Sequence, residues 1–234
     1  MSLYIVVEGR RTEPRLLRGW LPKLAPGYSP AARVEDVGAQ SYFVVPGRGY
    51  PSYHARIQAA AADIRQFPKF SWLVVMVDAE DVDASARRAE VQKSIDESGC
   101  PISSAILVAD CCVETWLLGN RTMVRPKPST PALQAHLAHY NVRDDDPERM
   151  PIRPGYDLRA QHHFDYLRAV FEERDMSFTK VNPGHAATPA YLDELRARTA
   201  VIDSQGSHLA SFREVVEFFD RLCPALPAPA EPRA

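Results

Sequence analysis

The residues able to do chemistry are acids that follow apolar runs. In residues 71–83, Ser-Trp-Leu-Val-Val-Met-Val leads straight into Asp78, Glu80, Asp81 and Asp83. Residues 3–7, Leu-Tyr-Ile-Val-Val, end in Glu8-Gly9, with Glu13 shortly after. Residues 104–109 end at Asp110, and Glu114 lies just beyond. Two unit charges about 4 Å apart repel by roughly 4 kcal/mol at an effective dielectric near 20. A gathered set of carboxylates therefore calls for a cation or a raised pKa. Hard oxygen donors of this kind suit Mg²⁺ or Mn²⁺. A pair of such ions activates water and steadies the leaving oxygen in phosphodiester hydrolysis. The competing reading is that Asp favours turns after strands, and that Glu13 and Glu114 merely complement a helix dipole in the first turn. Asp81 and Asp83 read as auxiliary or solvated.

What must position these acids is a set of strands. Continuous apolar runs mark strands covered on both faces, as in a parallel sheet. In open α/β sheets, ligands sit outside the carboxyl ends of the strands. Residues 3–7, 42–45, 72–77 and 105–108 read as strands. Helical patterns lie between them, at about 12–24, 52–67 and 85–97, and another helix starts near Cys111. Thr12 is expected to cap the first helix, with Pro14 in its first turn. Strand and helix alternate over residues 1–120, which predicts an α/β core with a mainly parallel sheet flanked by helices. Residues 121–223 read as a mostly helical part packed on that core, with helices near 132–140, 157–173, 189–198 and 208–222. The last has a broad apolar face that must be covered. Residues 224–234, rich in Pro and Ala, read as a disordered tail.

The pattern resembles a known family. Val7-Glu8-Gly9-x-x-Thr12-Glu13, then Asp78-x-Glu80, then Val113-Glu114-Thr115-Trp116-Leu117 is similar to the Toprim domain, and in particular to the RloB-like and OLD-nuclease-like Toprim proteins of bacterial defence loci. The motifs span about residues 3–120. The resemblance implies a Toprim-like fold and a divalent-metal-dependent nuclease. Glu8, Asp78 and Glu80 would hold a first ion, and Glu13 and Glu114 would contribute to a second. It also implies a catalytic cation downstream, for which Lys180 is the candidate, alongside catalytic Glu8 and Asp78. Arg10 and Arg11 would meet a phosphate backbone. The implied partners are nucleic acid, DNA rather than RNA, and a neighbour-encoded ABC- or OLD-type ATPase. Glu80 departs from the family pattern, where the second acid is Asp; Asp81 or Asp83 is the substitute if Glu80 does not reach. The alternative function is a non-catalytic scaffold or sensor that docks an ATPase through residues 208–222. Primer or nucleotide chemistry ranks third, since no zinc ribbon is visible.

The remaining features bound these readings. The 234 residues carry a formal charge of −2, unlike a free-standing DNA-binding domain, which is usually basic. No apolar run is long enough to span a membrane, and no signal peptide is evident, so a cytoplasmic location is expected. Cys100, Cys111, Cys112 and Cys223 form no Cys-x-x-Cys pair. Adjacent Cys111 and Cys112 are expected to point apart, a poor zinc chelate, and all four cysteines to be buried, reduced thiols. Gly47-x-Gly49 reads as a tight turn. His162 and His163 read as core or surface residues, and Trp20, Trp72 and Trp116 as core.

Overall fold

The computed structural model describes residues 1–223. Its centre is a five-stranded, wholly parallel sheet. The strands are β1 (Leu3–Val7), β2 (Ser29–Pro30), β3 (Ser41–Pro46), β4 (Trp72–Asp78) and β5 (Ser103–Ala109), in the spatial order β2-β3-β1-β4-β5. The expected mainly parallel α/β sheet is therefore what forms. β1 lies in the middle, paired from Leu3↔Tyr42 to Val7↔Pro46 on one side and from Leu3↔Trp72 to Val7↔Met76 on the other. The chain leaves β1 towards β3 and leaves β4 towards β5. The strand order thus reverses between two adjacent strands, and the crevice where α/β sheets bind ligands opens there.

Both faces of the sheet are covered, which explains the unbroken apolar runs. Leu3, Ile5 and Val7 face one hydrophobic cluster, while Tyr4 and Val6 face another, as a two-residue period dictates. The second cluster is closed by α2 (Ser52–Gln66), through Tyr53, Ile57, Ala60 and Ile64, and by α3 (Ala84–Ser98), through Val91 and Ile95. The first is closed by α1 (Thr12–Leu24), through Leu16, Leu17, Trp20 and Leu21. It continues into the later helices α4 (Val113–Leu117), α5 (Pro131–His139), α6 (Arg159–Glu172), α7 (Pro189–Thr199) and α8 (Ala210–Leu222). β6 (Ile202–Asp203) and β7 (Gly206–Ser207) form a small antiparallel pair before α8. The expected disordered tail, residues 224–234, lies outside the described residues.

The helical part shares the core rather than adding to it. In α8, Phe212, Val215, Phe218 and Phe219 are buried in the cluster that contains Leu3 and Ile5. All three tryptophans meet its phenylalanines: Trp20 and Trp116 lie 5.9 and 5.3 Å from Phe212, and Trp72 lies 5.5 Å from Phe218. The apolar face that had to be covered is therefore covered by its own chain. Among the described residues, no helix is long and apolar enough to cross a membrane.

Several local expectations are corrected. Thr12 does not cap α1: it is the first helical residue, and its hydroxyl donates instead to the Lys180 carbonyl at 2.6 Å. Asp83 is not merely solvated, because its carboxylate caps α3 by accepting from the Ser85 and Ala86 amides. Helix 208–222 starts later, at Ala210, because Leu209 takes φ +49 and breaks the helical path.

Because Phe212 is fully buried between two indoles, Phe212→Ala is expected to cost about 3–5 kcal/mol of stability. A urea titration read by tryptophan fluorescence would show the lowered midpoint.

Candidate metal centre

Four strand and helix junctions deliver acids to one place. Glu8 follows β1, and its amide extends the sheet by donating to the Met76 carbonyl at 2.9 Å. Asp78 ends β4. Glu13 sits in the first turn of α1, and Glu114 in the first turn of α4. With Glu80 and Lys180 they line one cleft of about 450 Å³, rimmed by Arg10 and Arg11. Every residue expected at a metal or catalytic position therefore lies on the same cleft. Glu8 and Glu114 are buried, Glu13 and Asp78 are half-buried, and Glu80 and Lys180 are exposed at its mouth. Asp81 and Asp83 are exposed and do not line it.

Short backbone bonds fix the acids. Glu8 Oε2 accepts from the Asp78 amide at 2.9 Å, tying β1 to β4 across the crevice. Glu13 Oε1 accepts from the Gly9 amide at 2.8 Å, and a Cβ at residue 9 would collide with that carboxylate. Gly9 is thus required by close approach. Gly47 and Gly49 form a turn, as expected, and the turn buttresses Glu8. The Gly47 amide donates to the Val7 carbonyl at 2.6 Å and the Gly49 amide to the Glu8 carbonyl at 2.8 Å. A Cβ on Gly47 would stand 2.6 Å from the Val7 oxygen. Glu80 adopts φ +54, and its amide donates to the Cys111 carbonyl at 2.6 Å, locking the loop after β4 to the loop after β5.

The electrostatics follow from crowding. Burial raises the Glu8 carboxyl from 4.5 to about 7, with Glu80 and Glu13 adding repulsion, against the Asp78 amide and Arg87. Asp78 is pushed well up, first by burial and then by Glu13, Glu8 and Glu114. Glu13 rises through burial and the charge of Glu114, and Glu114 rises through burial, while Lys180 opposes both. The cleft thus favours the protonated form of its acids.

Two features escaped sequence reading. Arg87 is buried beside the cleft, bonding the Tyr53 hydroxyl at 3.3 Å and Glu90 at 2.7 Å, with its guanidinium 4.6 Å from the Tyr50 ring centroid. No motif or spacing in residues 85–97 marks it out. The second is the cysteine pair. Cys111 and Cys112 do not point apart: both thiols and a ring nitrogen of His163 lie within 4.8 Å of one another, all three residues buried. Cys111 takes φ +67, and that turn brings the neighbouring thiols together. The Cys111 thiol is lowered to about 5, chiefly by hydrogen bonding from Cys112 and then by His163. Of the histidine pair, both are core residues, as expected. Comparison with models of known protein families, with curated proteins and with solved structures gave no match to this chain.

A carboxyl raised on folding keeps a proton that the unfolded chain releases. Stability is then expected to fall as pH rises from about 4.5 to about 7, by roughly 3 kcal/mol for Glu8 at full expression of its shift. Glu8→Gln should flatten that decline, as read from thermal midpoints in metal-free buffer across this range.

Proposed function

We propose that this chain is a divalent-metal-dependent phosphodiester hydrolase acting on nucleic acid, with DNA preferred to RNA. The observation that supports it is the convergence of Glu8, Glu13, Asp78, Glu80 and Glu114 with Lys180 on one cleft at the switch point of a parallel sheet. The donor set fits Mg²⁺ or Mn²⁺: it consists of carboxylate oxygens, which such hard ions prefer. The upward pKa shifts, from burial first and then from neighbouring acids, are ones that a bound divalent ion would oppose. Glu8, Asp78 and Glu80 would hold one ion, and Glu13 and Glu114 would contribute to a second. Ions bound there would supply Lewis-acid activation of water and neutralise charge on the phosphate.

The chain's own residues do the rest. Glu8, held against the Asp78 amide, presents its remaining oxygen to the cleft in a fixed direction. Lys180 is exposed at the mouth, where its ammonium can meet a non-bridging phosphate oxygen and steady charge in the transition state. Its position depends on the Thr12 hydroxyl, which anchors the Lys180 carbonyl. Arg10 and Arg11 on the rim add contacts for the flanking backbone. Such contacts orient a strand without reading its sequence. With the net charge near neutral, the electrostatic share of DNA binding would be supplied locally.

The RloB-like and OLD-like resemblance adds a bacterial anti-phage or mobile-element defence setting and a partner ABC- or OLD-type ATPase to this proposal. A scaffold that docks such an ATPase through α8 is disfavoured, because the apolar face that motivated it is buried inside the chain.

The test is cleavage of supercoiled plasmid, single-stranded DNA and RNA by the purified full chain with Mn²⁺. Asp78→Asn and Glu8→Gln are expected to lose at least ~100-fold in rate, and Lys180→Ala roughly 100–1,000-fold with metal binding intact, in line with typical losses of an electrostatic group. Wild-type protein inert on all three substrates, alone and with the neighbour-encoded ATPase, would sink the reading; so would Asp78→Asn cleaving at the wild-type rate.

A further inference from the structure

The acid cleft leaves unexplained a second cluster on the loop after β5. Cys111 Sγ, Cys112 Sγ and a His163 ring nitrogen lie within 4.8 Å of one another, and the three residues are 0–2% exposed. We propose that Cys111, Cys112 and His163 form a structural site for a thiophilic cation of the Zn²⁺ or Cu⁺ class, joining the start of α4 to α6.

Donor chemistry separates this site from the cleft. Thiolate and imidazole are soft to borderline ligands, which select Zn²⁺ or Cu⁺ and discriminate against Mg²⁺ and Mn²⁺. The spacing suits one ion, with metal–sulfur bonds of about 2.3 Å and a metal–nitrogen bond of about 2.0 Å. Two Cys and one His give a trigonal set for Cu⁺, or three corners of a zinc tetrahedron.

The surroundings resemble a prepared ligand set. The Thr115 hydroxyl bonds His163 Nδ1 at 2.7 Å, which fixes the imidazole ring. Metal-bound histidines ordinarily have their second nitrogen held this way. His163 Nε2 is buried with no hydrogen-bond partner among the described residues, so no existing bond competes with a cation for it. A buried polar atom without a partner calls for an explanation, and a bound ion supplies one. Cys111 is held at φ +67, a left-handed conformation that a side-chain-bearing residue rarely adopts. Its carbonyl is clamped by the Glu80 amide at 2.6 Å.

The location gives the site a role. Cys112 immediately precedes α4, whose first turn carries Glu114. α4 packs on α6, which carries His163. An ion bridging the two would brace the helix that presents Glu114 to the cleft. It would also give adjacent cysteines a reason to remain reduced.

The test uses the full-length chain, stripped of metal under reducing conditions and then titrated with Co²⁺, Zn²⁺ and Cu⁺ in separate arms. Co²⁺ should bind at one equivalent with a thiolate-to-cobalt charge-transfer band, displaced by Zn²⁺ or by Cu⁺. Cys111→Ser, Cys112→Ser and His163→Gln should each weaken binding at least tenfold. Glu8→Gln and Asp78→Asn should leave the band unchanged. X-ray absorption of the wild-type chain loaded with one equivalent of Zn²⁺ needs no variant and should show two sulfur neighbours. A shell of oxygen and nitrogen alone, absence of the charge-transfer band, or a band that survives Cys111→Ser and His163→Gln would overturn the proposal. A band lost in Asp78→Asn but kept in Cys111→Ser would likewise overturn it. None of these outcomes depends on nuclease activity, so failure here leaves the reading of the acid cleft standing.

Discussion

Taking Glu8, Glu13, Asp78 and Glu114 out of water in one cleft is the constraint around which this molecule is built. A fold left to minimise its own energy would disperse four acids or expose them. Here they are brought together where burial alone already raises their pKa values. The cost is offset by backbone amides at Asp78 and Gly9, by the ammonium of Lys180, and by the packing of everything behind the cleft. Clustered perturbed acids in a cleft are a mark of functional sites.

The scaffold is arranged to hold those acids still. β1 is central and pairs on both sides, so Glu8 leaves a strand that cannot shift without breaking two ladders. The turn at Gly47 and Gly49 braces the same point from the β3 side, and Glu80 and Cys111 lock the loops after β4 and β5. The late helices complete the arrangement from behind. α8 buries three phenylalanines against the sheet and the tryptophans, and the segment before α7 brings Lys180 to the mouth through its bond to Thr12. Residues far apart in the chain therefore share one rigid rim.

Two ligand chemistries sit close together in this region. The cleft offers carboxylate oxygens, and the Cys111, Cys112 and His163 cluster offers sulfur and imidazole nitrogen. Hard and soft donors prefer different ions. One segment, from Ala109 to Glu114, therefore carries residues of both groups: Cys111, which takes φ +67, and Cys112 lie in the buried cluster, while Glu114 lines the cleft.

Much of this was legible in the sequence. Unbroken apolar runs ending in acids gave the parallel strands, their burial on both faces and the edge on which Glu8, Asp78 and Glu80 would lie, because strand periodicity and apolar content are local properties. The Gly9 and Gly47 turns were readable for the same reason. What the chain order could not supply were contacts between distant segments. The sequence made Thr12 a helix cap, yet its hydroxyl finds Lys180. The sequence did not single out Arg87, yet tertiary packing buries it beside Tyr53 and Glu90. It made Cys111 and Cys112 diverge, yet a single positive φ turns both towards a histidine more than fifty residues downstream. Local pattern determined which residues stand at the strand ends; only the closed fold decided which side chains meet, since those meetings depend on backbone turns and packing that no short stretch encodes.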